Sequence, residues 1–133
     1  MSGAFFDSNV LLYGYAANDR RAARAQEVIA AGGATGVQCL NELASAAYRK
    51  MAVPWEHLNE ALTLVTTLCD PIVPVTLGVH QQGMRIAEMY KLSIYDGMML
   101  AAALVADCGI VYSEDMHAGL VIDGRLRIVN PFA

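Results

Sequence analysis

Cysteine is scarce in this chain. Cys39, Cys69 and Cys108 are odd in number and far apart, with no CxxC pair and only three histidines, none clustered with them. That arrangement argues against a disulfide framework and against a structural zinc site, and leaves buried free thiols in a reducing cytoplasm as the expected state. Long hydrophobic runs are missing too. The longest fully apolar stretch on one expected helix is MMLAAALVA at residues 98–106, far short of the roughly 20 residues a bilayer crossing takes. The opening MSGAFFDSNV has neither the basic start nor the small-residue cleavage site of an export signal, so none is expected. Positive charge is also in short supply: nine Lys and Arg face thirteen Asp and Glu, for a net charge of −4. A broad basic face of the kind most nucleic-acid binders carry is therefore absent. Any action on a polyanion would need a local basic patch or bound cations.

What remains is apolar. Hydrophobic residues make up 56% of 133 positions and mean hydropathy is +0.37, enough for one well-filled domain and high enough to suggest that a partner covers part of the surface. The chain reads as alternating strand and helix. Residues 3–6 form a strand and NVLLYGYA starts a helix. NDRRAARAQEVIAA is a helix capped by Asn18 or Asp19 and closed by Gly32-Gly33. A strand around residues 35–38 leads into the helix NELASAAYRKM, which ends before Pro54. WEHLNEALTLVTTLC is amphipathic, with Leu58, Leu62, Val65 and Leu68 at three- and four-residue spacing. IVPV is a third strand, held to an edge by Pro74. Helices over 79–91 and 96–107 follow, then the strand GIVYS and a fifth, RLRIV. Strands separated by helices imply a mainly parallel sheet of about five strands covered on both faces, a three-layer α/β/α class.

Most of the acids lie in polar helix faces or turns. Asp7, Glu42, Asp96 and Asp115 lie in apolar surroundings. Asp7 and Asp115 follow the first and fourth strands. Glu42 falls in the first turn of the helix after the second strand, and Asp96 opens the helix that runs back into the fourth. All four then share the carboxyl edge of the sheet, the rim where open α/β sheets bind ligands. Carboxylates gathered there repel one another, and a divalent cation relieves the conflict. An all-oxygen ligand set favours Mg²⁺ or Mn²⁺, and such a site binds phosphate and activates water for attack on phosphorus. Each acid also has a plainer explanation. Asp7 and Asp96 are good helix caps, Glu42 suits the dipole of a first turn, and Asp115 fits a loop.

FFDSNVLLY, LNEL around Glu42, SIYDGMMLAAALVADCGIVYSED and the closing RIVNPF resemble, in order and spacing, the PIN-domain family and in particular its VapC-type toxin ribonucleases. The resemblance spans nearly the whole chain and implies a single PIN-like nuclease domain over 1–133. It implies Asp7, Glu42, Asp96 and Asp115 as the quartet holding Mg²⁺ or Mn²⁺, with Asn9 and Ser113 as polar support. It further implies metal-dependent hydrolysis of RNA, a cognate antitoxin partner and a homodimer. Glu114 adjoins Asp115; strand alternation past Ser113 puts Asp115 on the site side and leaves Glu114 as an outer ligand. Arg20, Arg21 and Arg24, with Arg49 and Lys50, are candidates for RNA backbone contact or for an antitoxin's acids. His117 reads as a loop residue, and Trp55 as either a partner anchor or a rim of the core. Two other readings stay open: a different metal-dependent α/β phosphohydrolase or phosphotransferase with an early Asp nucleophile, and an inert module that binds RNA or protein.

Overall fold

Phe5 and Phe6 are adjacent and both fully buried. Neighbouring residues of a strand point to opposite faces, so both faces of the sheet are covered at this point. A computed structural model describes residues 3–16 and 18–133. Strand β1 (Gly3–Phe6) is followed by helices α1 (Ser8–Tyr15) and α2 (Ala22–Ala30), then β2 (Thr35–Gly36), α3 (Val37–Met51), α4 (Trp55–Leu68) and β3 (Ile72–Val73). The second half runs α5 (Leu77–Tyr90), α6 (Ile94–Val105), β4 (Cys108–Tyr112), β5 (Val121–Ile122) and β6 (Leu126–Val129).

The main sheet has four strands in the order β1-β4-β6-β5, and β2 pairs with β3 separately. All pairings are parallel except β5 with β6. A parallel bridge between Phe5 and Ala34 ties the short pair to β1, reinforced by the Thr35 hydroxyl donating to the Phe6 carbonyl at 2.9 Å. The expectation of about five strands in one sheet is thus corrected to four plus a two-strand wing. RLRIV is the sixth strand, because β5 precedes it as one arm of a hairpin. Asp123 and Gly124 in its turn both have positive φ, 52° and 69°, the backbone that an Asp-Gly pair supplies to tight hairpins.

Several boundaries shift. The second helix begins at Ala22, with neither Asn18 nor Asp19 as its cap; Asp19 accepts from the Arg21 amide at 2.8 Å instead. The strand expected over 35–38 ends at Gly36, and α3 starts at Val37, which places Glu42 in the second helical turn, not the first. Asp96 does not open its helix: Ser93 caps α6, its hydroxyl accepting from the Asp96 amide. The helices expected over 79–91 and 96–107 begin two residues earlier. On α4, Leu58 is buried while Leu68 is 48% exposed, so the apolar stripe outruns the core.

The apolar run of α6 does what its composition implies, with Gly97 through Ala103 all buried. It passes α5 at very close range. A Cβ on Gly83 would come within 2.7 Å of the Met98 main chain, and one on Gly97 would land on the Gly83 carbonyl oxygen. Only glycine allows two backbones to approach so closely.

Candidate functional site

The register of β1 and β4 pairs Phe6 with Tyr112, so the residues that follow, Asp7 and Ser113, emerge side by side at the carboxyl edge. Asp7 is buried. It caps α1, one carboxylate oxygen accepting from the Ser8 amide at 2.6 Å, and its other oxygen accepts from the Ser113 hydroxyl at 2.7 Å. Capping and site membership are therefore combined in one residue. These two bonds orient both oxygens of the Asp7 carboxylate. Asn9 links the cluster: its amide nitrogen is 3.4 Å from Asp7, 3.5 Å from the Ser113 hydroxyl and 3.2 Å from Asp115. Its carbonyl oxygen accepts from the Glu114 amide at 3.3 Å.

Glu42 reaches the same place from α3. Single ligand atoms of Asp7, Glu42 and Cys39 all lie within 4.8 Å of one another. Burial pushes the Glu42 carboxyl above its ordinary range, and the charges of Asp7 and Asp96 push it further. Asp7 is raised as well, by burial first, with bonds from Ser113 and Ser8 opposing and Asp96 adding repulsion. Asp96 thus acts electrostatically on both. Asp115 is exposed and joins through Asn9. Among the described residues, no ion pair reaches any of these four acids. Clustered carboxylates without a countercharge, two of them, Asp7 and Glu42, driven toward protonation, are a donor set suited to a hard divalent cation. The Cys39 thiol does not belong to that set: burial drives it up to about 12, and a protonated sulfur is a poor partner for Mg²⁺ or Mn²⁺.

Glu114 is turned away from this cluster, which corrects its reading as an outer ligand. Both its oxygens accept from Arg21 Nη1, at 2.7 and 2.9 Å, and the Tyr13 hydroxyl donates to it at 2.8 Å. The Arg21 guanidinium holds the Glu114 carboxyl below its usual range, lies 3.8 Å over the Tyr13 ring and is gripped from its other side by Asp19. Sequence reasoning offered Arg21 to an RNA backbone or to an antitoxin's acids and missed this pairing of residues 93 positions apart. It also missed Ser8, which bonds Asp7 and lowers Glu42; the residue stood in plain view inside the DSN triplet. Arg24 pairs with Glu27 and donates to the Pro131 carbonyl. Trp55 is 62% exposed and tilts against Tyr48 at a centroid distance of 5.0 Å, so it is no part of the core. His117 is an exposed loop residue.

The helices α1, α2 and α4 enclose an open apolar groove of about 320 Å³ lined by Leu11, Tyr15, Ile29, Leu64, Val65 and Leu68 among others. Leu64 and Leu68 are about half exposed there. Among the described residues, no helix is long and apolar enough to cross a membrane.

Comparison with solved structures finds the same fold in a toxin–antitoxin complex from Klebsiella pneumoniae, with TM-score 0.71 and 19% identity over 97% of this chain and 98% of that one. VapC20 of Mycobacterium tuberculosis, described as a sarcin–ricin loop cleaving toxin, matches with TM-score 0.71 and 18% identity over 85% and 90%. FitAcB of Neisseria gonorrhoeae matches with TM-score 0.66 and 17% identity over 97% and 98%. A search of curated protein sequences finds no match. At such identities these structures speak for the fold alone, but the PIN domain profile matches residues 4–118, a span containing the carboxyl ends of β1 and β4 and all four acids. The chain belongs to the PIN domain family.

Proposed function

We propose that this PIN domain is a metal-dependent endoribonuclease and the toxin of a toxin–antitoxin pair. The observation that carries the reading is the convergence of Asp7, Glu42 and Asp96, with Asp115 joined through Asn9, on one sheet edge without a countercharge. Asp7, Glu42, Asp96 and Asp115 would hold Mg²⁺ or Mn²⁺, which when bound supplies Lewis-acid stabilisation of charge on phosphorus and acidifies water. The chain's own groups prepare the site. Ser113 and the Ser8 amide fix both Asp7 oxygens, and Asn9 sets the spacing of Asp7 and Asp115. Burial of Asp7 and Glu42 strengthens their attraction for a cation by lowering the local dielectric.

The antitoxin is proposed to lay an amphipathic helix in the groove of α1, α2 and α4, since one of the structural relatives is described as a toxin–antitoxin complex and helix-in-groove docking suits an apolar trough between helices. A homodimer is proposed through the exposed apolar side chains of α5 and α6, where Met89, Ile94, Tyr95 and Val105 are each about half exposed or more. The free, buried state of all three cysteines supports a reducing cytoplasm as the setting. The test is cleavage of labelled RNA by purified protein with Mn²⁺ or Mg²⁺, with chelator, and with Asp7→Asn and Asp96→Asn. Cleavage that stops in chelator and in both variants supports the reading; full activity in either variant overturns it.

A further inference from the structure

Among the described residues, ion pairs engage four of the nine basic side chains: Arg21 with Asp19 and Glu114, Arg24 with Glu27, Arg85 with Asp123, and Arg125 with Asp107. Arg49 and Lys50 differ. Both are exposed in the last turn of α3, and neither has a hydrogen bond or ion pair among the described residues. Their sign complements the helix dipole, but their placement has a second aspect. Glu42, Ser45, Ala46 and Arg49 fall at three-, four- and seven-residue intervals, so they share one face of the helix. Arg49 stands about 10 Å along the axis from Glu42.

These residues, with Ser8 and Lys50, line one open depression of about 450 Å³. One end is the acidic rim, through Glu42 and Ser8, and the other is cationic. Between them lie only Ser45 and Ala46, too short to obstruct a chain lying across them. A polymer of linked phosphates fits both ends, one phosphate at the rim once a cation is there and the next within reach of a guanidinium fork and an ammonium.

We propose that Arg49, assisted by Lys50, is a phosphate-binding subsite for the RNA strand flanking the scissile bond, with the α3 depression as the path between. The inference rests on the nuclease reading for its substrate, and it tells the two ends of the substrate apart: the strand on one side of the cut crosses α3, and the other does not. Because Arg49 is remote from the reacting bond, its contact is made equally before and during the reaction and serves binding, not chemistry.

The experiment is fluorescence anisotropy with a labelled single-stranded RNA across a salt series, in an Asp7→Asn background that cannot cut. Arg49→Gln and the Arg49→Gln/Lys50→Gln pair are compared with Arg49→Lys. Each lost phosphate contact is expected to make the slope of log affinity against log salt shallower by about 0.7. Arg49→Gln should weaken binding roughly tenfold at moderate salt, and Arg49→Lys should restore most of the slope. With Asp7 intact, KM should rise by a similar factor while kcat holds. An unchanged salt slope in the double variant overturns the proposal, as does a fall in kcat at constant KM. Loss of antitoxin affinity with the RNA slope intact also overturns it, assigning Arg49 and Lys50 to the protein partner. Protein that binds RNA with an Arg49-dependent slope but never cuts would sink the nuclease reading and leave the subsite standing. Protein that cuts with a KM indifferent to both substitutions would do the reverse.

Discussion

Glu42→Gln should make the protein more stable when no divalent ion is present and less responsive when one is added. The ligand atoms of Glu42 and Asp7 lie within 4.8 Å, and Asp96 repels both. Two unit charges at that separation repel by about 1 kcal/mol in water and about 3.5 kcal/mol at an effective dielectric of 20. Glu42 is half-buried, so removing its charge should contribute about 1 to 3 kcal/mol, while glutamine can keep the contact with Ser8. For a chain of 133 residues that corresponds to a Tm rise of about 4 to 12 °C in chelator. The pH dependence has a definite sign. Asp7 and Glu42 titrate higher in the folded protein than in the unfolded chain, so the folded state binds more protons between the two ranges. Stability is then greatest below the unfolded carboxyl pKa and falls as pH rises through the elevated folded values. Glu42→Gln should flatten that decline. Added Mn²⁺ narrows the gap: at a hundredfold excess over Kd it stabilises wild type by about 2.7 kcal/mol, and the variant, one carboxylate short, by less. Thermal unfolding in chelator and along a Mn²⁺ titration reads both effects. A variant less stable than wild type in chelator, or an identical Mn²⁺ shift in the two proteins, would refute the reasoning.

Asn9→Ala removes the amide that spans Asp7, Ser113 and Asp115; cleavage or Mn²⁺ affinity should drop about 10- to 100-fold, read by initial rates and calorimetric titration. Asp115→Asn should weaken Mn²⁺ binding, whereas Glu114→Gln, whose carboxylate is held by Arg21, should leave it unchanged; equal losses would mean that both acids face the ion. Ala52 closes α3 at φ 53°, a backbone that costs an L-residue about 1 kcal/mol. Ala52→Gly should therefore raise Tm by about 4 °C without altering cleavage. Gly97→Ala drives a methyl into the Gly83 carbonyl and should cost about 2 to 3 kcal/mol in denaturant unfolding, with cleavage reduced through the adjoining Asp96.

The place of Asp7 was legible because it stands between the apolar ends of β1 and α1, and the register of β1 with β4 sets Ser113 beside it. MMLAAALVA was equally plain over its first six residues, which are all buried, whereas Val105 near its end is exposed. Boundaries were harder. With β2 only two residues long, no alternation could develop, and Val37 and Gln38 read as strand although they begin α3; Glu42 consequently moved a turn deeper. Asp96 was mistaken for a cap because Ser93, three residues before it, performs that role with the same local pattern. The β5–β6 hairpin could have been read from Asp123-Gly124. The grip of Arg21 on Glu114 could not, because nothing local relates an α2 side chain to a loop 93 residues away.

The main-chain contact between Gly83 and Gly97 has a practical bearing on anyone seeking to graft this acidic edge onto another scaffold. Asp96 owes its position to a weld between two helices, and α5 supplies none of the four acids, yet it would have to travel with them. A minimal transplant of strand ends and α6 alone would carry the right residues and lose their coordinates.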